Sequence, residues 1–361
     1  MAHPGCPFRA RAKMGRHAYT EEGRGDAQRL CRRDPNRLTC SWKHSGEGSP
    51  LETTERNTER TRQLFEELGG TVNDGFPSVN ARVHHTPAGT PYLKAPGVVV
   101  LAKPQTNVAG LAGFLEGFDP ELRFPEYLDD PTKLPDSSQL CKTAGQVCYA
   151  SFGPRRTKNE NATAYIERLT SAGHGSVLEH ASFNFLLYGI SRSVTHELVR
   201  HRAGAAFSQI SQRYVSGAVL RFVERPEYQQ DEELHALFEE RADRAAAEYE
   251  AMAERLLGRQ EGGASMLTAD YKTDARKKVQ QTARSLLPNE TEAPMVFTGN
   301  VRALRHIIEM RADAHAESEI RNLAVRLFVC LRTVDPILFG DYELAELPDG
   351  TYTVSTENRK A

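Results

Sequence analysis

The densest set of side chains that could bind a charged ligand lies between residues 200 and 214. An Arg-His-Arg run at 200–202 comes first, a glycine- and alanine-rich stretch at 203–206 follows, and Ser211 and Arg213 come after it. A guanidinium group binds two phosphate oxygens at once, and hydroxyl and amide groups suit the polar edge of a pyrimidine. The pattern therefore indicates a nucleotide-like ligand. The competing interpretation is a helix end, where cations are stabilised by free carbonyl groups.

A second basic group follows Asn300, which is a suitable cap for a helix running to about Asp313. Arg302 and His306 are four residues apart and share a face of that helix, whereas Arg311 lies about 180° around the axis from Arg302. The helix therefore predicts contacts to two pockets. The competing interpretation is a surface helix with scattered basic residues.

One smaller block precedes these two groups and another lies between them. A Gly-His-Gly-Ser run ends at Ser176, and Arg284 begins an Arg-Ser-Leu-Leu-Pro run. His174, Glu179 and His180 are alternative zinc ligands, but they form no HExxH motif and their spacing does not place all three on one helix face. The sequence therefore predicts no metal site.

In order and spacing, the four blocks resemble the flavin-dependent thymidylate synthases (the ThyX family) over roughly residues 135–345. The match at 200–214 is the Arg-His-Arg run followed by Ser211-x-Arg213-Tyr214. The family's usual gap before the serine is seven residues, whereas residues 203–210 make eight here. The resemblance identifies the chain as a long-form member whose first 90 residues fall outside the match.

The resemblance also implies residue roles. Arg311 would be catalytic, because it would stabilise negative charge on the pyrimidine. Glu197 stands where many members carry glutamine, and its alternative role is an ion pair with Arg200 within one helix. The substrate-binding set is Glu197, Arg200, Gln209, Ser211, Arg213, Arg284 and Arg311. The cofactor-binding set is Ser176, Arg200, His201, Arg202, Asn300, Arg302 and His306.

The implied reaction is C5 methylation of dUMP to dTMP. Methylenetetrahydrofolate would donate the one-carbon unit, and FAD reduced by NADPH would supply the hydride. The family's homotetramer implies active sites between subunits, which would explain one helix serving two pockets. Two alternatives remain open: a specialised paralogue that methylates UMP, for instance in nucleoside-antibiotic assembly, and a non-catalytic relative that binds flavin or nucleotide.

Composition narrows the class of protein. No run approaches the roughly 18 to 20 apolar residues that span a bilayer, so we expect no membrane partner and a cytoplasmic location. The six cysteines contain no CxxC pair; we interpret Cys141, Cys148 and Cys330 as core residues.

A net charge of −2 excludes a globally basic nucleic-acid binder. Residues 1–50 nevertheless hold ten Arg/Lys against five Asp/Glu, which leaves a nucleic-acid-binding arm as an alternative.

Hydrophobic periodicity predicts an α+β fold in which a small sheet is flanked by long helices. We expect residues 1–90 to form a basic, partly disordered extension and residues 91–361 to form the catalytic domain. The predicted strands are 97–103, 181–190 and 295–298. The predicted helices are 61–68, 137–150, 159–172, 192–202, 232–258, 269–286, 301–313 and 317–333. We expect Ser191 to cap the helix 192–202, and Asp136 or Ser137 to cap the helix 137–150.

Overall fold

The computed structural model describes residues 50–129, 134–154, 162–214, 219–261 and 272–358. The chain divides after Glu47, and every described residue belongs to the second unit, Gly48–Ala361. The basic segment at residues 1–49, with its suggested nucleic-acid-binding role, lies outside the described residues.

Nine α-helices and eleven strands are present in these ranges. The helices are α1 Pro50–Glu67, α2 Ala112–Leu115, α3 Asp136–Cys148, α4 Ala162–Ser171, α5 Arg192–Leu198, α6 Glu232–Glu261, α7 Lys272–Ala283, α8 Val301–Arg311 and α9 Ser318–Val334. The strands are β1 Gly70–Asn73, β2 Phe76–Val79, β3 Val83–His85, β4 Pro91–Leu93, β5 Gly97–Ala102, β6 Ser182–Tyr188, β7 Ala205–Gln209, β8 Phe222–Val223, β9 Met295–Asn300, β10 Glu343–Glu346 and β11 Tyr352–Ser355. This mixture confirms the predicted α+β class. None of the described helices has both the length and the apolar character needed to cross a membrane.

The main sheet has six strands in the order β1-β2-β5-β6-β9-β7, and its neighbouring strands are antiparallel. Strand β6 lies near its centre, paired with β5 and β9. Phe183, Phe185 and Leu187 of β6 are fully buried, as the alternating pattern predicts. Helix α9 packs against β2 and β5, and also against α1 and α8. The sheet and these helices therefore form the main hydrophobic core.

Two smaller sheets complete the architecture. One has the order β3-β4-β8, and the other is the hairpin of β10 and β11. The long helix α6 packs against α7. Phe238 of α6 is buried in a second apolar cluster with Tyr92 and Phe222 from the three-stranded sheet.

The boundary expected at residue 91 does not coincide with a structural break. Helix α1 packs on α9, and strands β1 and β2 form one edge of the main sheet. Leu64 and Phe65 of α1 are buried in the main core. The folded unit therefore includes residues that precede 91, because their apolar side chains are buried against elements that are distant in sequence.

Three local predictions need correction. Helix α5 ends at Leu198 and not near Arg202, because the chain turns to reach the sheet. The small-residue stretch that follows contributes to β7, the edge strand beside β9. Helix α3 has Pro135 at its N-cap position, with no side-chain cap, where we predicted Asp136 or Ser137. Cys148, the last residue of α3, is exposed and is not core, whereas Cys141 and Cys330 are buried as predicted.

Candidate functional site

Ser191 fixes the start of α5, the short helix that leads into the Arg-His-Arg run. Its hydroxyl accepts a hydrogen bond from the Val194 amide, as the predicted cap should. The Glu319 carboxylate of α9 accepts two more hydrogen bonds, from the Ser191 amide at 2.7 Å and from its hydroxyl at 2.8 Å. Burial raises the pKa of Glu319 to about 7, although the Ser191 hydrogen bonds oppose that shift.

Asn300 fixes the start of α8. Its side-chain oxygen accepts a hydrogen bond from the Ala303 amide at 2.9 Å, which confirms the predicted cap. The backbone amide of Asn300 donates a hydrogen bond to the Gly204 carbonyl oxygen at 2.9 Å. Gly204 has a φ of +69°, and a Cβ at this position would lie 2.5 Å from the Asn300 side chain. The close approach holds the start of α8 beside the residues that follow the Arg-His-Arg run.

Arg311, at the end of α8, lies against two residues of the segment that begins with α5. Its Nη1 donates to Oε2 of Glu197 at 2.6 Å, and its Nε donates to Nε2 of His201 at 2.9 Å. The ion pair is partly sheltered from water, since the Arg311 side chain is 21% exposed and that of Glu197 is 36% exposed. The ion pair between Glu197 and Arg200 that the sequence left open does not form, because Glu197 pairs with Arg311 instead.

His201 is held as a neutral ring in a defined tautomer. Burial, followed by the positive charge of Arg311 and the nearby His306, lowers the pKa of His201 to about 4. Because Nε2 accepts the hydrogen bond from Arg311, the ring proton is on Nδ1. His201 therefore presents an N–H donor on the side opposite Arg311.

His306 meets the same histidine edge-on, with ring centroids 5.5 Å apart. The helical spacing predicted that His306 and Arg311 would serve separate pockets. Within one chain, however, both lie against His201. The long Arg311 side chain can reach back along the helix, because helical side chains lean toward the N-terminus.

Three arginines of the predicted cofactor-binding set have exposed side chains. Arg302 pairs with Glu179 at 2.5 Å, and both side chains are close to half exposed. Glu179 ends the 3-10 turn Gly175–Glu179, which also carries the exposed Ser176. Arg200 and Arg202 are likewise exposed. No set of three or more His, Cys, Asp or Glu side chains in the described ranges is arranged to hold a metal ion.

The remaining predicted residues lie along the path from β7 to α7. Gln209 donates to the Thr195 hydroxyl at 3.3 Å. The Ser211 hydroxyl accepts from the Arg213 amide at 3.3 Å, and the Arg213 Nε donates to Gln281 at 3.2 Å. No hydrogen bond or ion pair links Arg284 to Arg311 among the residues that the structure describes. Arg284 begins the 3-10 turn that follows α7.

Sequence reasoning missed the contribution of α7. The Lys277 ammonium lies 4.8 Å from the ring centre of Tyr214, and its hydrogen bond and charge lower the pKa of that phenol. Gln281 bonds Arg213 one helical turn later. Residues four apart share a helix face, so the spacing of Lys277 and Gln281 was an available signal.

Arg311 also borders an open cavity of about 340 Å³. Its lining residues are Glu309, Met310, Arg311, Asp313, His315 and Ala316. Small-molecule sites are concave and place a few polar groups around a ligand of this size class. Polar side chains gathered beside a cavity of this size are typical of a protein that binds a small polar molecule.

Comparison with known proteins names the family. The family model described as "thymidylate synthase complementing protein" matches residues 131–337. A flavin-dependent thymidylate synthase of Mycolicibacterium gilvum is 40% identical over 231 residues, which cover 64% of this chain and 90% of that protein. One from Mycobacterium tuberculosis is 42% identical over 212 residues, which cover 59% and 82% respectively. The chain therefore belongs to the family of flavin-dependent thymidylate synthases, which are methyltransferases.

A solved structure is also similar to this chain. It is a UMP/dUMP methylase, PolB, from Streptomyces cacaoi bound with 5-Br dUMP. The match has a TM-score of 0.46 and 20% sequence identity, and it covers 68% of this chain and 93% of that one.

Proposed function

We propose that this chain methylates C5 of dUMP to give dTMP, with methylenetetrahydrofolate as the one-carbon donor and NADPH as the source of reducing equivalents for FAD. Family membership supports the reaction class. The observation that carries the assignment of residues is the contact of Arg311 with Glu197 and His201. It joins two motif blocks that are far apart in the sequence.

Arg311 is the residue to which we assign ring activation. Its Nε, one Nη1 hydrogen and one Nη2 hydrogen are bound within the chain, which leaves one hydrogen on each Nη to donate to a ring carbonyl oxygen. Negative charge shared by N3 and the ring oxygens raises the electron density at C5, which makes C5 a better nucleophile toward the one-carbon unit. A fixed guanidinium beside those atoms stabilises that charge in place of water.

We assign nucleotide positioning to residues around β7 and α7. The Arg213 guanidinium, held by Gln281, and the exposed Arg200 are suited to phosphate oxygens. Ser211, Gln209 and Arg284 supply further donors. Holding the phosphate at a distance from the ring orients C5 and lowers the entropic cost of the reaction.

We assign a second set of donors to a flavin dinucleotide. Arg302, Arg202 and Arg200 are exposed cations suited to a diphosphate, and the neutral His201 supplies a fixed Nδ1–H donor. Ser176, Asn300 and His306 complete the set that we assign to the cofactor. When bound, the reduced flavin supplies the hydride that completes the methyl group.

The buried thiols support a route without a cysteine nucleophile. Burial raises the pKa of both Cys141 and Cys330 to about 12. Thiols of this kind remain protonated and are poor nucleophiles. Cys141 and Cys330 are therefore unsuited to attack the ring, and we assign activation at C5 to Arg311 and the cofactor.

We further propose that the protein works as a homotetramer in which neighbouring subunits complete each site. The exposed side chains of Arg200 and Arg202 support this arrangement, since they are available to an anionic ligand or to carboxylates of a partner subunit.

The decisive experiment is a side-by-side assay of dUMP and UMP with purified protein, NADPH and methylenetetrahydrofolate. We expect a yellow protein that forms dTMP. If UMP is methylated faster than dUMP, UMP replaces dUMP as the proposed acceptor. A protein that stays colourless with added FAD, or that binds flavin without methylating either nucleotide, would reject the proposed reaction.

A further inference from the structure

Arg311 is held by one short segment of the chain. Its hydrogen bonds within the described residues go to Glu197 and His201, at 2.6, 2.9 and 3.4 Å. Glu197 lies near the end of α5, and His201 follows soon after the helix ends at Leu198. The position of the Arg311 guanidinium therefore depends on where α5 lies.

Helix α5 has only seven residues, so its two ends are about 10 Å apart. Val194 and Leu198 bury one of its faces in the main core. At its start, the backbone amide of Arg192 donates a hydrogen bond to the Thr291 carbonyl oxygen at 3.0 Å. Because apolar burial is not directional, the polar contacts at the start of the helix decide its tilt and rotation.

Glu319 of α9 supplies a side-chain contact at that start. Its Oε1 accepts a hydrogen bond from the Ser191 amide at 2.7 Å, and its Oε2 accepts one from the Ser191 hydroxyl at 2.8 Å. Ser191 is 2% exposed and Glu319 is 1% exposed. Since buried donors lose free energy when they are left unpaired, the two hydrogen bonds hold Ser191 firmly on α9.

Arg311 and Glu319 lie on either side of the connection between α8 and α9. Helix α8 ends at Arg311, and α9 begins at Ser318. Arg311 contacts the segment at the end of α5, and Glu319 contacts the residue at its start. The chain connection, the two contacts and the short helix therefore form a closed ring. A shift of Ser191 relative to α9 is passed along α5 to the residues that hold Arg311.

We propose that Glu319 is a positioning residue for Arg311, on which it acts through Ser191 and helix α5. This inference rests on the proposed function, because it takes Arg311 as the residue that activates the ring. The buried Glu319 carboxylate does not contact the ligand; it fixes the segment that fixes the guanidinium. Displacing a reacting group by about 1 Å can reduce a rate about 100-fold, so a small shift of α5 is enough to slow the chemical step.

Four variants test this role. E319A removes both hydrogen bonds to Ser191, whereas E319Q keeps an acceptor for the amide and a donor for the hydroxyl oxygen. S191A removes the hydroxyl alone. Its matched control is S138A, because the Ser138 hydroxyl donates to the buried carboxylate of Asp335 at 2.7 Å. Asp335 follows the other end of α9, about 24 Å along the helix from Glu319.

The kcat and KM for the preferred nucleotide are measured for each variant, and thermal unfolding checks that each is folded. We expect E319A to lower kcat about tenfold or more with a smaller change in KM, because the guanidinium acts on the transition state. S191A should lower kcat less, since the amide keeps its hydrogen bond. E319Q and S138A should stay within about twofold of the wild-type kcat.

Nitrogen NMR of labelled histidine gives a readout that does not need turnover. The Nε2 of His201 accepts its hydrogen bond from Arg311, so its signal reports on the position of the guanidinium. In E319A and S191A the signal should move toward that of a histidine ring with no hydrogen bond at Nε2. In S138A it should stay where it is in the wild type.

A folded E319A with a kcat within about twofold of the wild type would overturn the inference. So would equal losses of kcat in S191A and S138A, a comparison that does not depend on whether E319A folds. If the wild type methylates neither nucleotide, the proposed function itself fails. The His201 signal then decides the inference alone, and an unchanged signal in S191A overturns it.

Discussion

The Glu319 carboxylate accepts hydrogen bonds from both the amide and the hydroxyl of Ser191, across 128 residues of sequence. The contact joins the start of α9 to the start of α5. Helix α5 carries Glu197 near its end, and His201 follows the helix. Arg225 pairs with Glu317 and lies 4.0 Å from Glu319, so the carboxylate has a cation nearby. This buried group gives the protein a pH-dependent element of stability.

Replacing Glu319 by Gln should remove part of the pH dependence of unfolding. The folded pKa of Glu319 is about 7 and its ordinary value is 4.5, so the folded protein binds more protons between these values. The contribution is therefore complete below about pH 4.5 and is lost as the pH rises through about 7. Urea denaturation at several pH values should show a falling free energy of unfolding in wild type over this window. Parallel curves for wild type and E319Q would refute this role of Glu319.

Replacing Gly204 by Ala should destabilise the fold more than a positive φ alone explains. The added Cβ meets the Asn300 side chain at 2.5 Å, and that side chain is fixed by its cap on α8. Gly350 provides the matched control, since it has a φ of +75° and no atom within 4 Å of an added Cβ. We expect G350A to cost about 1 to 2 kcal/mol and G204A to cost measurably more. If thermal unfolding shows the same loss of stability in both variants, the contact with Asn300 does not add to the cost of G204A.

His201 should remain neutral well below the pH at which an ordinary histidine is protonated. Its pKa of about 4 comes from burial first, then from Arg311 and His306. Nitrogen NMR of labelled histidine should show the proton on Nδ1 at neutral pH, because Nε2 accepts from Arg311. In R311M the pKa should rise only part of the way to 6.5, since burial remains. A protonated His201 at pH 6 in wild type would contradict this assignment.

Replacing Arg311 by Lys should reduce kcat/KM by about 100-fold or more, because an ammonium group cannot keep the contacts to Glu197 and His201 and also donate to the ring. Arg244 supplies the control, since it is exposed and pairs only with Glu240 among the described residues. We expect R244K to retain wild-type kinetics. Steady-state assays with the preferred nucleotide measure both variants, and thermal unfolding checks that R311K is folded. An R311K enzyme with near-normal kcat/KM would remove Arg311 from the chemistry.

Local signals in the sequence determined several elements. The caps at Ser191 and Asn300, the alternation along β6 and the β-branched run of β5 depend on nearby residues, and each was predicted close to its observed position. The order and spacing of the motif blocks also sufficed to identify the family. These features can be predicted from the sequence because hydrogen-bonded caps and periodic burial depend on residues only a few positions apart.

Only the tertiary structure decided which side chains meet. Glu197 pairs with Arg311 across 114 residues and not with Arg200, and the small-residue stretch after α5 becomes an edge strand because β9 offers it free hydrogen-bonding groups. Cys148 shares its helix with the buried Cys141 but faces solvent at the helix end. Such outcomes depend on packing between elements that are distant in sequence, where the energy of a contact depends on its partner and leaves no local pattern.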